Sequence, residues 1–191
     1  MQLIKLVLPD EEQIEFQIAL VDEPAIESDW MVFSKGFAFK EVDKAKKILM
    51  GYFMIADMKI PRFDQERGAY EVIFPKESID AIVRNFSKNG LNQNMNEDHK
   101  TGELSEGVYV LNHWQLDSEM EIKAPKGFKT EADGSWFGIV KCDNDEIYQR
   151  ALRGEINGFS IENKFIEQAF SNTDIDTFLK RLQEEINTNK H

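Results

Sequence analysis

Between Pro75 and Gly90 the apolar residues Ile79, Ile82, Val83 and Phe86 recur at helical spacing. Elsewhere most apolar residues fall in short runs bounded by polar or glycine-marked turns. This change of period constrains the fold more than any other feature, because a helix lays its apolar residues along one stripe whereas a strand alternates them between two faces. Proline just before the periodic stretch and glycine just past it are the residues that suit a helix start and stop. A chain punctuated in this way folds as a mixed protein with strands in the majority.

The strand signals can be placed. Residues 3–8 and 14–21, separated by Pro9-Asp10-Glu11-Glu12, predict a hairpin. Residues 30–39, 48–60 and 70–74 predict further strands, the second limited by Pro61. Residues 107–116 and 136–141 predict two more. The charged stretch 119–134 between them holds Pro125, Gly127 and Gly134, and predicts an exposed loop or flap. Asp143-Asn144-Asp145-Glu146 combines a capping residue with a glutamate three positions on, predicting a short helix that ends at Gly154 and leads into a strand around Ser160. From Ser171 the residues Ile175, Phe178, Leu179, Leu182 and Ile186 form one apolar stripe, suited either to packing on the core or to a dimer contact or helical extension. The predicted organisation is a domain over residues 1–170 and an amphipathic helix over 171–191. A chain of 191 residues with 41% hydrophobic content can bury one substantial core.

Composition excludes several functions. With 23 basic and 35 acidic residues the net charge is -12, which repels phosphate backbones and argues against nucleic-acid binding. No apolar span is long enough to cross a membrane, and the N-terminal residues read as a strand rather than a signal peptide. A single cysteine, Cys142, forms no internal disulfide and fits a reducing compartment. No glycine-rich phosphate loop is present.

The stretch Gly154-Glu155-Ile156-Asn157-Gly158-Phe159-Ser160-Ile161-Glu162 sets a serine in mid-strand. Alternation turns Phe159 and Ile161 inward and gives Ser160 and Glu162 the other face. By periodicity alone Ser160 is the polar member of an edge strand. As a nucleophile it needs a base within hydrogen-bond reach, most often histidine. Of three histidines, His191 is the last residue, and His113 lies in a strand beside Trp114, a setting for a satisfied, half-buried side chain. His99, behind Glu97 and Asp98 at a loop-to-strand junction, is better placed as a base. Glu97, Asp98, His99 and His113 offer metal donors, yet without the tight spacing of a zinc motif, so no metal and no cofactor is expected. Cys142 ends an apolar strand and reads as an inert buried thiol.

Taken in order, five motifs form a recognisable set: Ala19-Leu20-Val21-Asp22-Glu23-Pro24-Ala25-Ile26-Glu27, Trp30-Met31-Val32-Phe33-Ser34-Lys35, Asn96-Glu97-Asp98-His99, Gly107-Val108-Tyr109-Val110 with Trp114, and Gly154-Glu155 with Gly158-Phe159-Ser160-Ile161-Glu162. Together they resemble the XkdF-like phage prohead proteases, capsid-maturation serine proteases related in fold to herpesvirus assemblin. The resemblance implies an α+β fold, with a β-barrel-like core of mostly antiparallel strands flanked by helices. It implies Ser160 as nucleophile and His99 as base, with no cofactor. The activity implied is that of a serine endopeptidase inside the phage procapsid, in the host cytoplasm. Its substrates would be the scaffold, the major capsid protein and the chain itself, with a homodimer or higher oligomer as its assembly.

One departure bears on the third catalytic residue. In many such proteases an acid lies on a strand after the serine, just before a Val-x-x-Pro-Ala-like motif. Here the similar Val21-Asp22-Glu23-Pro24-Ala25 is N-terminal, as if one strand were circularly permuted, and Gln17 occupies the acid's place with Ala19 following on the same face. Glu162 is then the leading candidate for the third residue, with Glu15 and Asp98 behind it and a simple Ser160–His99 dyad as the remaining option. The rival function is a capsid-assembly or scaffolding protein that keeps the protease fold without activity.

Overall fold

The computed structural model describes residues 2–7, 17–21, 40–43, 46–97, 104–129, 131–162, 165–169 and 180. In chain order these hold β1 (Gln2–Val7), β2 (Gln17–Val21), β3 (Lys40–Asp43), β4 (Ile48–Met54), β5 (Ile60–Asp64), β6 (Gly68–Ile73) and α1 (Lys76–Lys88). A short 3-10 turn (Leu91–Gln93) follows, then β7 (Met95–Glu97), β8 (Val108–Gln115), β9 (Trp136–Cys142), α2 (Asp145–Leu152), β10 (Gly158–Glu162) and β11 (Ile166–Ala169). The strands and helix expected over residues 30–39 and 171–191 fall, apart from Lys180, outside the described residues.

The protein is α+β and rich in strands. They form three sheets, ordered β11-β1-β6-β5, β10-β2-β7 and β3-β4-β9-β8. Only β1 with β6 and β2 with β7 pair in parallel; the other described pairs are antiparallel. The barrel-like core expected above is not closed among the described residues. A barrel requires one continuous hydrogen-bonded ladder, whereas here the sheets are open, and β10 meets β4 through the rings of Phe159 and Phe53, 5.0 Å apart.

The expected N-terminal hairpin is absent, since β1 lies between β11 and β6 while β2 lies between β10 and β7. Burial gives the reason. Ile18, Ala19 and Leu20 are all buried, so β2 is covered on both faces and its backbone groups need partners on both sides. A hairpin would satisfy only one edge. The long strand expected over 48–60 is divided: β4 ends at Met54, the chain turns through Asp57 at φ 58°, and β5 begins at Ile60. Pro61 sits inside β5, tolerated because β5 is an edge strand of its sheet.

α1 follows the sequence pattern. Ile79, Ile82 and Phe86 are buried on its inner face, and Gly90 beyond its end takes the left-handed conformation at φ 63°. α2 is capped by Asn144, one position later than Asp143: its Oδ1 accepts from the backbone N–H groups of Glu146 (3.0 Å) and Ile147 (3.1 Å).

The β3-β4-β9-β8 sheet is apolar on both faces. One face presents Phe53 and Trp136, which meet edge to face at 5.0 Å and pack with Phe86 of α1 and Phe159 of β10. The other presents Tyr52, Leu116 and Phe137, joined by Trp114 and Phe128. Ala124 and Phe128 of the segment expected to be an exposed flap pack on that second face, while much of the segment's described length is exposed. It is tied down: the Tyr52 hydroxyl donates to the Lys129 carbonyl at 2.8 Å and accepts from the Glu131 N–H at 3.2 Å, while the Ser118 hydroxyl donates to Asp133 at 2.6 Å. Phe128 stands edge-on to Phe137 at 4.9 Å. The polar composition of the segment concealed the one aromatic that anchors it.

Candidate active site

β10 is built from both ends. Gly154, at φ 74°, lets the chain leave α2 in a left-handed conformation that a side chain disfavours. The Asn157 N–H then donates to the Val21 carbonyl at 2.8 Å and locks the chain onto β2. From there Gly158 pairs with Val21, Ser160 with Ala19 and Glu162 with Gln17. Phe159 and Ile161 are buried in the main core, as their parity requires.

Ser160 faces the other way and is also buried, with 2% of its surface exposed. This differs from the outward-facing polar residue that alternation predicts for an edge strand. β10 is indeed an edge strand among the described residues, but both of its faces are covered at Ser160. A hydroxyl held this deep is costly unless hydrogen-bonded, so the position selects for a polar environment on that face.

The sheet register supplies one. Ala19 pairs with Ser160 on one side and with Asn96 on the other, so Ser160, Ala19 and Asn96 form one row across β10, β2 and β7. Ala19 and Asn96 are fully buried. The Asn96 amide N–H donates to Gln17 Oε1 at 2.8 Å, joining β7 to β2 on the Ser160 face. Glu97, on the opposite parity, pairs with the Arg150 guanidinium of α2, which also lies 3.7 Å from Glu155. That ion pair anchors the end of β7, two residues before His99.

The other sequence candidates separate cleanly. His99, Asp98, Glu15 and His191 lie outside the described residues; Glu162 is placed by register opposite Gln17, two positions along β10 from Ser160. His113 is the satisfied residue its setting predicts: its Nδ1 accepts the Trp136 indole N–H at 3.1 Å, Phe86 stands edge-on at 5.0 Å, and burial lowers its pKa from the ordinary 6.5. Cys142 is buried, donates weakly to the Asn144 carbonyl at 3.2 Å, and has its thiol pushed up to about 11 by burial. Among the described residues no group of three His, Cys, Asp or Glu side chains is assembled to hold a metal ion, and no helix is long and apolar enough to cross a membrane. Phe128 and Ala124 of the segment 117–129 lie against the far face of the β3-β4-β9-β8 sheet, which turns its other face toward β10, so this segment does not cover Ser160. Asn96 is the buried polar residue of this row that periodicity does not reveal: β7 has three residues, too few for a period to show.

A model of the family described as "Putative phage serine protease XkdF" matches residues 37–167, about two thirds of the chain. The chain belongs to that family. No curated protein and no solved structure matches it. The XkdF match takes in β7, His99 and β10 with Ser160, whereas β2, the middle strand of the Ser160 sheet, comes from outside the matched span.

Proposed function

We propose that the chain is a serine endopeptidase of phage procapsid maturation, with Ser160 as nucleophile and His99 as general base. The observation that carries this is the row Ser160–Ala19–Asn96 in a member of a phage serine protease family: the serine stands on a packed strand, and the strand two places away ends at Glu97, two residues before His99. Ser160 Oγ attacks the scissile carbonyl, His99 takes its proton and returns it to the leaving amine, and backbone N–H groups stabilise the oxyanion.

The substrates on this reading are the scaffold and major capsid proteins and the chain itself, inside the procapsid, where confinement raises their effective concentration. No cofactor takes part. The kinship with herpesvirus assemblin belongs to the same reading and is supported by the strand-rich, mostly antiparallel core. The circular permutation is supported by β2: it bears Gln17, precedes Asp22-Glu23-Pro24-Ala25, and pairs antiparallel with β10 as a strand following the serine would. Glu162 is the carboxylate nearest Ser160 along the strand and remains the leading acid for a triad.

Two observations favour the rival, an inactive assembly protein: Gln17 in place of an acid, and the burial of Ser160. Cleavage by the wild-type chain, compared with Ser160→Ala, decides between them, and a wild type that cleaves neither protein in the assembled particle supports the rival. The protease reading expects it to abolish cleavage of the cognate capsid and scaffold proteins with the melting temperature retained; undiminished cleavage would favour another nucleophile.

A further inference from the structure

We propose that Asn89-Gly90, at the end of α1, is a site of spontaneous covalent modification. The Gly90 amide nitrogen attacks the Asn89 side-chain carbonyl carbon, the carbon–nitrogen bond of the side-chain amide breaks, and ammonia leaves with the proton released by Gly90. Water then opens the cyclic imide to aspartate or isoaspartate. The step needs no enzyme and no reactant beyond water. Asparagine is thermolabile, and a following glycine exposes its nitrogen and lets the backbone turn into the attacking geometry.

The chain holds two Asn-Gly pairs, Asn89-Gly90 and Asn157-Gly158, and the fold treats them differently. Asn89 and Gly90 are both exposed. Asn89 ends the helix at φ -93° and ψ 0°, and Gly90 takes the left-handed conformation at φ 63° and ψ 38°. A Cβ built at Gly90 would meet no heavy atom within 4 Å among the described residues. The Gly90 N–H donates to the Ser87 carbonyl at 3.3 Å, a long hydrogen bond in the last turn of a helix, where the backbone opens most easily. Rotation about ψ of Asn89, which brings the nitrogen against the side-chain carbon, therefore costs little.

Asn157-Gly158 is held. The Asn157 N–H donates to the Val21 carbonyl at 2.8 Å, and Gly158 pairs with Val21 at the start of β10. The same rotation there would lift β10 from β2 and pull at Phe159, which is 1% exposed and packed edge-on against Phe53. That pair reacts only when the strand opens.

The product falls at a sensitive junction. Aspartate or isoaspartate adds a negative charge at the C-terminal end of α1, the end that the helix dipole makes unfavourable for an anion. Isoaspartate also routes the main chain through the side-chain carbon. The extra backbone atom falls between Phe86, packed 5.1 Å from Trp136, and the 3-10 turn, whose Asn92 amide donates to the Val110 carbonyl at 3.5 Å. Modification should therefore loosen the path from α1 to β7.

The test keeps the full chain at pH 8 in water enriched in heavy oxygen and follows the two sites by peptide mass spectrometry. Isoaspartate and aspartate carrying heavy oxygen should accumulate at position 89 about tenfold or more faster than at position 157. In urea the two sites should react at similar rates. The melting temperature of the aged chain should fall, and Asn89→Gln, which cannot close the same five-membered ring, should abolish that fall. A chain whose Ser160 is blocked with an alkyl fluorophosphonate, or replaced in Ser160→Ala, should react at the wild-type rate. Equal rates at 89 and 157 in the native chain overturn the proposal, and this comparison needs no variant to fold. Aspartate alone at position 89, without isoaspartate, overturns the imide route, as does a rate that depends on Ser160.

Discussion

Gly138 of β9 is the position where a single methyl group should be felt most. A Cβ built there overlaps Cε2 and Cζ of Phe53 and comes within 3.0 Å of Cδ2. The ring has no room to retreat, since Phe53 is 1% exposed and is held edge-on by Trp136 and Phe159, each at 5.0 Å. Gly138→Ala therefore overpacks the core at about 1–3 kcal/mol, offset by roughly 0.5–1 kcal/mol for replacing glycine in a strand. The net loss is about 0–2.5 kcal/mol, at roughly 2–4 °C in melting temperature per kcal/mol for a chain of this size. Phe53→Ala alone opens a cavity at about 3–5 kcal/mol. In that background the methyl at 138 has space, so Gly138→Ala should be neutral or stabilising, giving a coupling energy of about 1–3 kcal/mol. Urea melts of the four proteins measure it. Additivity within about 0.5 kcal/mol would refute the claim that Phe53 fills the space above Gly138.

Other expected outcomes concern the loop, the lone thiol and the half-buried histidine. Tyr52→Phe removes both hydrogen bonds that hold residues 129–131; it should cost about 1–2 kcal/mol and speed tryptic cleavage at Lys126 and Lys129 while leaving Ser160 labelling unchanged. Cys142 should resist iodoacetamide at pH 8 in the native protein and react fully in urea. Because burial raises its folded pKa from 9.0 to about 11, it contributes stability below pH 9 that is lost as pH rises through that window, a loss that Cys142→Ala should abolish in pH-dependent melts. His113 has its folded pKa lowered from 6.5, so the unfolded chain takes the proton first. Stability present above pH 6.5 is lost as pH falls below it, and His113→Phe should flatten that part of the melting profile.

The elements legible in the sequence are those whose burial follows a local period. α1 shows it through Ile79, Ile82 and Phe86, and β10 through Phe159 and Ile161. What stayed hidden is non-local. β2 shows a continuous buried run instead of alternation, so nothing near it in sequence reveals that its partners are β10 and β7, far along the chain. The same holds for the site. Ser160 stands out in its own strand, but its alignment with Asn96 across Ala19 exists only once three distant segments are in register. The loop expected over residues 119–134 is exposed along much of its described length, as its charges predict, whereas the Tyr52 hydroxyl that ties it down lies 77 residues away from Lys129.

Serine chemistry at position 160 is tested most directly by the mass of the chain after exposure to an alkyl fluorophosphonate, free and in the assembled particle. A nucleophilic Ser160 predicts one adduct, mapped to the peptide containing Gly158-Phe159-Ser160, absent from Ser160→Ala and strongly reduced in His99→Ala. An adduct on another residue, or none at Ser160 in the assembled particle, would contradict it.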